Sequence, residues 1–167
     1  MSNKPIESFQ VDHNDLPKGV YLSRVDELGD RKIYTYDLRM TEPNKEKILT
    51  HSGVHTLEHN GATYFRNDAM YGEDVIYFGA MGCFTGYYLI LKDTVPKNEV
   101  LPLIRRVFNL LADETNNTVH GGTQAQCGSF SDHSPFWQHM YAKEYLEVLN
   151  KLEDNHDFKY PKFREEY

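Results

Sequence analysis

The chain has 167 residues, with 18 Lys and Arg against 25 Asp and Glu for a formal charge of −7, and it is 40% apolar and 13% aromatic. That is one domain's length and enough apolar content for one core, which excludes a disordered tail protein, a collagen-like chain and a coiled coil. The acidic balance argues against a nucleic-acid or anionic-membrane surface, since both need a basic footprint. No run of about 18 apolar residues reads as a membrane span. The opening MSNKPIESFQ lacks the apolar stretch of an export signal, so a cytoplasmic protein is expected.

In chain order, the first thirty residues read as mixed, with turn signals at 16–19 and 28–30. The run RKIYTYDLRM at 31–40 is rich in β-formers and predicts a strand ended by Thr41-Glu42-Pro43-Asn44. A helix is expected over 54–66. Two further strands, 74–78 and 86–91, are joined by a Gly-rich stretch that suggests a hairpin or short loop carrying Cys83. The apolar residues Leu103, Ile104, Val107, Leu110 and Leu111 recur at helical spacing, predicting a helix from 101 to about 114 with Pro102 in its first turn. A third helix opens at Ser134-Pro135, an N-cap followed by proline, and runs to about 152. Strands and helices interleave without βαβ regularity, which favours an α+β fold with an antiparallel sheet packed against helices. The expected organisation is a single catalytic domain over 1–153 and a charged tail, 154–167, that frays.

The chemistry-bearing segment is His55-Thr56-Leu57-Glu58-His59. Residues four apart lie a turn above one another on one helix face, so His55 and His59 can present two imidazoles to one metal ion, with Glu58 beside them. This is the reversed form of the zincin pattern. A third ligand is needed, and an open fourth position would make such a site catalytic rather than structural. Cys127, in Gln126-Cys127-Gly128 ahead of Asp132-His133, is the best candidate. A thiolate joining two imidazoles suits zinc, cobalt or ferrous iron. A fourth protein donor, His133 or Cys83, would instead close the site as a structural one. With no export signal a disulfide between Cys83 and Cys127 is not expected, and a buried apolar role is the alternative for either.

Taken together these pieces resemble the LuxS family, the S-ribosylhomocysteine lyases that make the precursor of autoinducer-2. The resemblance runs from about Glu7 to about His133. It rests on Glu7-Ser8-Phe9 with Asp12-His13, Tyr36-Asp37-Leu38-Arg39 followed by Pro43-Asn44, His55-Thr56-Leu57-Glu58-His59, Met81-Gly82-Cys83 with Thr85-Gly86, and Cys127-Gly128 with Asp132-His133. It implies a LuxS-like metalloenzyme sandwich in which His55, His59 and Cys127 hold one divalent metal per subunit, Fe2+ natively with Zn2+ or Co2+ as alternatives. Water or a substrate oxygen would take the fourth position. It also implies Glu58 and Cys83 as the general acid/base pair, and Ser8, His13, Arg39 and Gly128 as substrate contacts. Ser8, His13 and Arg39 would reach the site from the neighbouring subunit of a homodimer.

The implied reaction moves the ribose carbonyl of S-ribosylhomocysteine from C1 to C3 and then eliminates homocysteine. This leaves 4,5-dihydroxy-2,3-pentanedione, with a role in quorum sensing and the activated methyl cycle. A Lewis-acid metal and two positioned proton carriers suit that chemistry, and no organic cofactor is called for. The metal's charge would favour the thiolate of Cys83.

Some positions depart from the family pattern. Phe84 stands where arginine or glutamine is usual, Tyr77 where an aspartate holds the substrate's amino group, Asn60-Gly61 where an apolar pair is usual, and Ala80 where proline is usual. Two other readings follow. One is a divergent, non-catalytic metal-binding homologue; the other is an HxxEH metallopeptidase in which Glu58 activates water. Taken alone, Arg39 on an exposed strand face would be a solvated charge, and Ser8 and His13 surface polar residues.

Overall fold

Alternating apolar residues build the centre of the molecule. The computed structural model describes residues 6–161 and 163. In it, β1 (Gly19–Leu28), β2 (Arg31–Arg39), β3 (Val75–Ala80) and β4 (Gly86–Lys92) form an antiparallel sheet in the order β1-β2-β4-β3. Successive side chains on a strand point to opposite faces. Tyr36, Leu38, Tyr87, Leu89, Leu91 and Phe78 therefore share the face that packs into the core. Three longer helices cover that face: α2 (His51–Arg66), α3 (Lys97–Leu111) and α4 (Pro135–Leu149). A single helical turn, α1 (Glu7–Gln10), lies near the start of the chain. This is the expected α+β arrangement.

The sequence reading passed over β1. Only Gly19, Val20 and Tyr21 are buried; from Leu22 to Leu28 the strand mixes polar residues with half-buried or exposed apolar ones at the sheet's edge, so no apolar alternation marks it. The turn signal at 28–30 was sound, because Leu28 pairs with Arg31 across a two-residue turn. Gly29 takes φ +65 at its first central position, the left-handed conformation such hairpin turns require.

Helix α3 begins a turn earlier than expected, after Val95-Pro96, so Pro102 sits inside it rather than in its first turn. The ring removes one backbone donor there, and the apolar stripe Val100, Leu103, Ile104, Val107 and Leu111 offsets that loss by burial. Helix α4 opens as predicted, with the Ser134 Oγ accepting the Trp137 N–H at 3.4 Å, but it ends at Leu149 rather than near 152.

Helix α2 carries the His pair and sits close to its neighbours. A Cβ on Gly61 would meet the Phe78 ring at 2.4 Å, and one on Gly53 would meet Tyr141 at 2.6 Å and Trp137 at 2.7 Å. The missing side chains, which lower helix propensity, let α2 lie against β3 and α4.

The tail was expected to fray, and its first part does not. Phe158 is 3% exposed. Its carbonyl accepts the Leu22 N–H at 2.7 Å, and His156 Nε2 donates to the Val20 carbonyl at 2.9 Å. Tyr160 stacks on Tyr21 with ring centroids 4.9 Å apart. Aromatic residues spaced through a charged segment dock it against β1 and the sheet, an effect net charge does not reveal. The remainder of the tail, 162 and 164–167, lies outside the described residues.

Candidate metal centre and active site

Helix α2 brings His55 and His59 onto one face, with ring centroids 4.7 Å apart and planes at 86°. Each ring is turned by a backbone carbonyl. His55 Nδ1 donates to Asp132 O at 2.8 Å, and His59 Nδ1 donates to His120 O at 2.8 Å. Both Nε2 lone pairs are thereby free to bind a cation, the arrangement that fixes tautomer and aim in metal-binding histidines. Cys127 Sγ lies 3.4 Å from His55 Nε2 and accepts the Ser129 N–H at 3.3 Å. Donor atoms of His55, His59, Cys127 and His133 all lie within 4.8 Å of one another.

The stretch 116–133 that delivers Cys127 is pinned to α2 by Asn60, which is 1% exposed. Its Nδ2 donates to Thr118 O at 2.8 Å and Gln138 Oε1 at 2.6 Å, and its Oδ1 accepts the His120 N–H at 2.8 Å. Asn60 therefore holds the same residue whose carbonyl orients His59. The sequence marks Asn60-Gly61 only as a departure from an apolar pair, and this holding role of Asn60 is not legible in it.

His133 was weighed as a closing donor, and the structure brings it to the cluster, whereas Cys83 lies outside it among the described residues. The His133 ring stacks on His55 at 4.0 Å and 20°. Thr56 Oγ1 gives its proton to Ser52 O at 2.7 Å and accepts the Ser134 N–H at 2.7 Å. The His133 Nδ1 contact to that oxygen at 3.3 Å is thus an N–H donation, which leaves Nε2 with a lone pair. That Nε2 is buried and has no hydrogen-bond partner among the described residues. Burial, with His55 and His59 nearby, holds His133 below the usual histidine value and keeps it neutral. An orphaned lone pair beside two others and a thiol is what a cation-binding cluster should look like, so the donor set fits a divalent metal.

Glu58 is partly buried on α2 and accepts the Ala80 N–H at 3.3 Å, which turns it toward the end of β3. Cys83 sits in the hairpin loop between β3 and β4, as predicted. Phe84 N donates to Met81 O at 2.9 Å, and Phe84 itself takes φ +55, an uncommon conformation for a bulky residue. Its ring packs 5.7 Å from His51, so the position where the family pattern has a long polar side chain is an apolar wall here. His51 in turn pairs with Asp132.

Ser8, His13, Arg39, Cys83 and Thr85 line one open cleft of about 440 Å³. Three of the four expected substrate contacts are thus beside Cys83 within a single chain. Gly128 is not: it lies exposed next to Cys127 with open space around its α-carbon. The solvated-charge reading of Arg39 is wrong, because Arg39 is 3% exposed. It donates to Asp37 Oδ2 at 2.6 Å and to Thr85 Oγ1 at 2.5 Å. Burial alone would lower the Arg39 value, but its pairing with Asp37 outweighs that and holds it firmly protonated. His13 Nδ1 donates to Val11 O at 2.9 Å, and Ser8 lines the cleft together with Tyr88. A second, larger groove of about 700 Å³ adjoins this cleft on the sheet face away from the helices, and Tyr77, 45% exposed, lines it with Ser23, Thr35 and Ile90.

Comparison with known proteins agrees with this geometry. A protein-family profile described as S-Ribosylhomocysteinase (LuxS) matches residues 6–156. A protein of Clostridium acetobutylicum named S-ribosylhomocysteine lyase is 40% identical over 150 residues, spanning 90% of this chain and 94% of the relative. One of Finegoldia magna with the same name is 39% identical over 88% of this chain and 92% of its own length. One of Borrelia garinii, again of that name, is 35% identical over 95% and 99%. The chain belongs to the LuxS family of S-ribosylhomocysteinases.

Proposed function

We propose that this protein is a carbon–sulfur lyase that cleaves S-ribosylhomocysteine to homocysteine and 4,5-dihydroxy-2,3-pentanedione, the autoinducer-2 precursor, in the cytoplasm. Family membership carries the reaction, and the observation that supports the site is the convergence of His55, His59 and Cys127 donor atoms within 4.8 Å. These three would hold one divalent metal per subunit, ferrous iron natively with zinc or cobalt as substitutes, with His133 Nε2 as a fourth donor in reach that a sugar oxygen would have to replace, and the metal would supply a Lewis acid for charge on the sugar oxygens.

The thioether at C5 of the ribose is a poor leaving group until the C4 proton is acidic, and a ketone at C3 makes it so. The carbonyl must therefore move from C1 through C2 to C3, each step taking a proton from one carbon and returning it to the next. Cys83 and Glu58 are the proposed carriers. They approach from different elements, the β3–β4 loop and α2, which lets two groups act on neighbouring carbons. In the last step a proton leaves C4, the C5–S bond breaks, and homocysteine departs with its sulfur protonated. Ser8, His13 and Arg39 are proposed as substrate contacts in the cleft they share with Cys83, and Gly128 as a backbone contact beside Cys127.

We extend the proposal to a homodimer with two sites at the interface. The openness of the cleft and of the adjoining sheet groove supports it, since a second copy would close both. The metallopeptidase reading is set aside by the family.

Titrating free thiol on adding S-ribosylhomocysteine to anaerobically purified protein of known metal content tests the function. Homocysteine release should collapse in Cys83→Ala and in Glu58→Gln. No release from a folded, metal-loaded dimer would overturn the lyase reading in favour of a non-catalytic metal-binding homologue.

A further inference from the structure

The docked C-terminal segment ends against the buried ion pair under the cleft. Tyr160 OH donates to Asp37 Oδ2 at 2.8 Å, the same oxygen that receives Arg39 at 2.6 Å. Arg39 donates onward to Thr85 Oγ1 at 2.5 Å, and Thr85 Oγ1 lies 3.0 Å from Cys83 Sγ. A guanidinium can only donate, so it occupies a lone pair of the Thr85 oxygen and leaves the hydroxyl hydrogen available to the sulfur. Asp37 thus accepts from the phenol on one side and the guanidinium on the other, and the guanidinium in turn donates to the hydroxyl that faces the sulfur.

It also has little slack. Asp37 is fully buried, and its other oxygen, Oδ1, has no partner among the described residues; neither has Arg39 Nε. Tyr160 therefore supplies one of the two side-chain hydrogen bonds recorded for the Asp37 carboxylate. A buried carboxylate that loses such a bond is left under-satisfied and free to turn, taking its guanidinium with it.

We propose that Tyr160, Asp37 and Thr85 are positioning residues for Cys83, so that the C-terminal segment sets the reactivity of a thiol in a cleft it does not line. This rests on the assignment of Cys83 as a proton carrier, but it predicts a property readable without substrate. None of the three is proposed to touch substrate.

The test is alkylation of Cys83 by iodoacetamide in the full-length, zinc-loaded protein, followed by site-resolved mass spectrometry. Thr85→Val should slow the reaction about tenfold, as expected for loss of a hydrogen bond to a charged group, and Thr85→Ser should restore it. Tyr160→Phe should slow it by about three- to tenfold with zinc content unchanged. In lyase assays the same variants should lose kcat in proportion to the alkylation rate, with KM within about twofold. A merely structural role would lower thermal stability and leave the rate of the folded protein alone. Should Tyr160→Phe fold poorly, the Thr85→Val and Thr85→Ser pair, which alters no packing at the tail, decides the outcome. Cys83 alkylation within twofold of the parent in folded Thr85→Val, or no recovery in Thr85→Ser, would overturn the proposal. Because the alkylation needs no substrate, a protein that released no homocysteine would still report on it.

Discussion

The two sides of the site are held by different means. On the metal side, His55 and His59 ride one helix and are aimed by the carbonyls of Asp132 and His120, with Asn60 fastening the loop to the helix. On the cleft side, backbone bonds hold the hairpin loop, but the Cys83 sulfur is reached through a series of side chains, Thr85, Arg39, Asp37 and Tyr160. Backbone carbonyls of a loop pinned to the helix resist single substitutions, whereas a chain of side chains can be cut at any member. The metal side should therefore fail outright only when a ligand is removed and weaken when its scaffold is cut, and the cleft side should fail by degrees.

The largest effects should separate the two sides cleanly. Cys127→Ala should lose stoichiometric metal by elemental analysis and with it lyase activity, since it removes the one thiolate donor of the cluster and leaves neutral imidazoles only. Cys83→Ala should keep full metal while activity falls by about 10²–10⁴, the range for a lost proton carrier. Metal loss in Cys83→Ala, or metal retained in Cys127→Ala, would merge what the structure keeps apart.

Asn60→Ala comes next. It takes from the His120 N–H, the Thr118 carbonyl and Gln138 Oε1 the bonds Asn60 makes to them, which should cost about 2–3 kcal/mol by chemical denaturation. It should also weaken metal affinity by about 10–100-fold, as for groups that orient ligands. Activity at saturating metal should recover, because no proton carrier has moved. A variant as stable as the parent would mean that the loop holds itself.

How much of this the sequence carried follows the same division. The helix with His55, Glu58 and His59 is legible because its chemistry repeats with the helical period. The β3–β4 loop is legible because glycines punctuate two apolar runs. Strand β1 is not, since half of it faces water and its pairing with β2 is settled by that partner. The Asp37–Arg39 pair lies two residues apart on one strand, and its burial depends on what covers that face, chiefly a tail 123 residues further on. Composition makes that tail look solvated; its aromatic side chains dock it. The inward role of Asn60 was equally hidden, because a polar residue in a helix shows its value only when the loop it holds is placed.

The smallest effect concerns the scaffold of the metal side alone. Asp68, just past the end of α2, accepts from Arg106 of α3 at 3.0 and 3.1 Å and from the backbone N–H groups of Met70 and Tyr71. Burial works to raise its value, but these hydrogen bonds outweigh it and hold the carboxyl below the ordinary aspartate range. A carboxyl lowered on folding contributes stability that is complete above its unfolded value, near pH 4, and is lost as pH falls through the folded value. Arg106 is 37% exposed at its side chain, so solvent screens the pair and its share should be about 1 kcal/mol or less. Thermal melts of Asp68→Asn should accordingly sit slightly below the parent at pH 7 and converge with it in acid below pH 4. The loss should spread to metal retention, which depends on how α2 is seated, and leave the alkylation rate of Cys83 unchanged. An equal change in Cys83 reactivity would show that the helix and the hairpin share one support, and the division between the two sides would have to be redrawn.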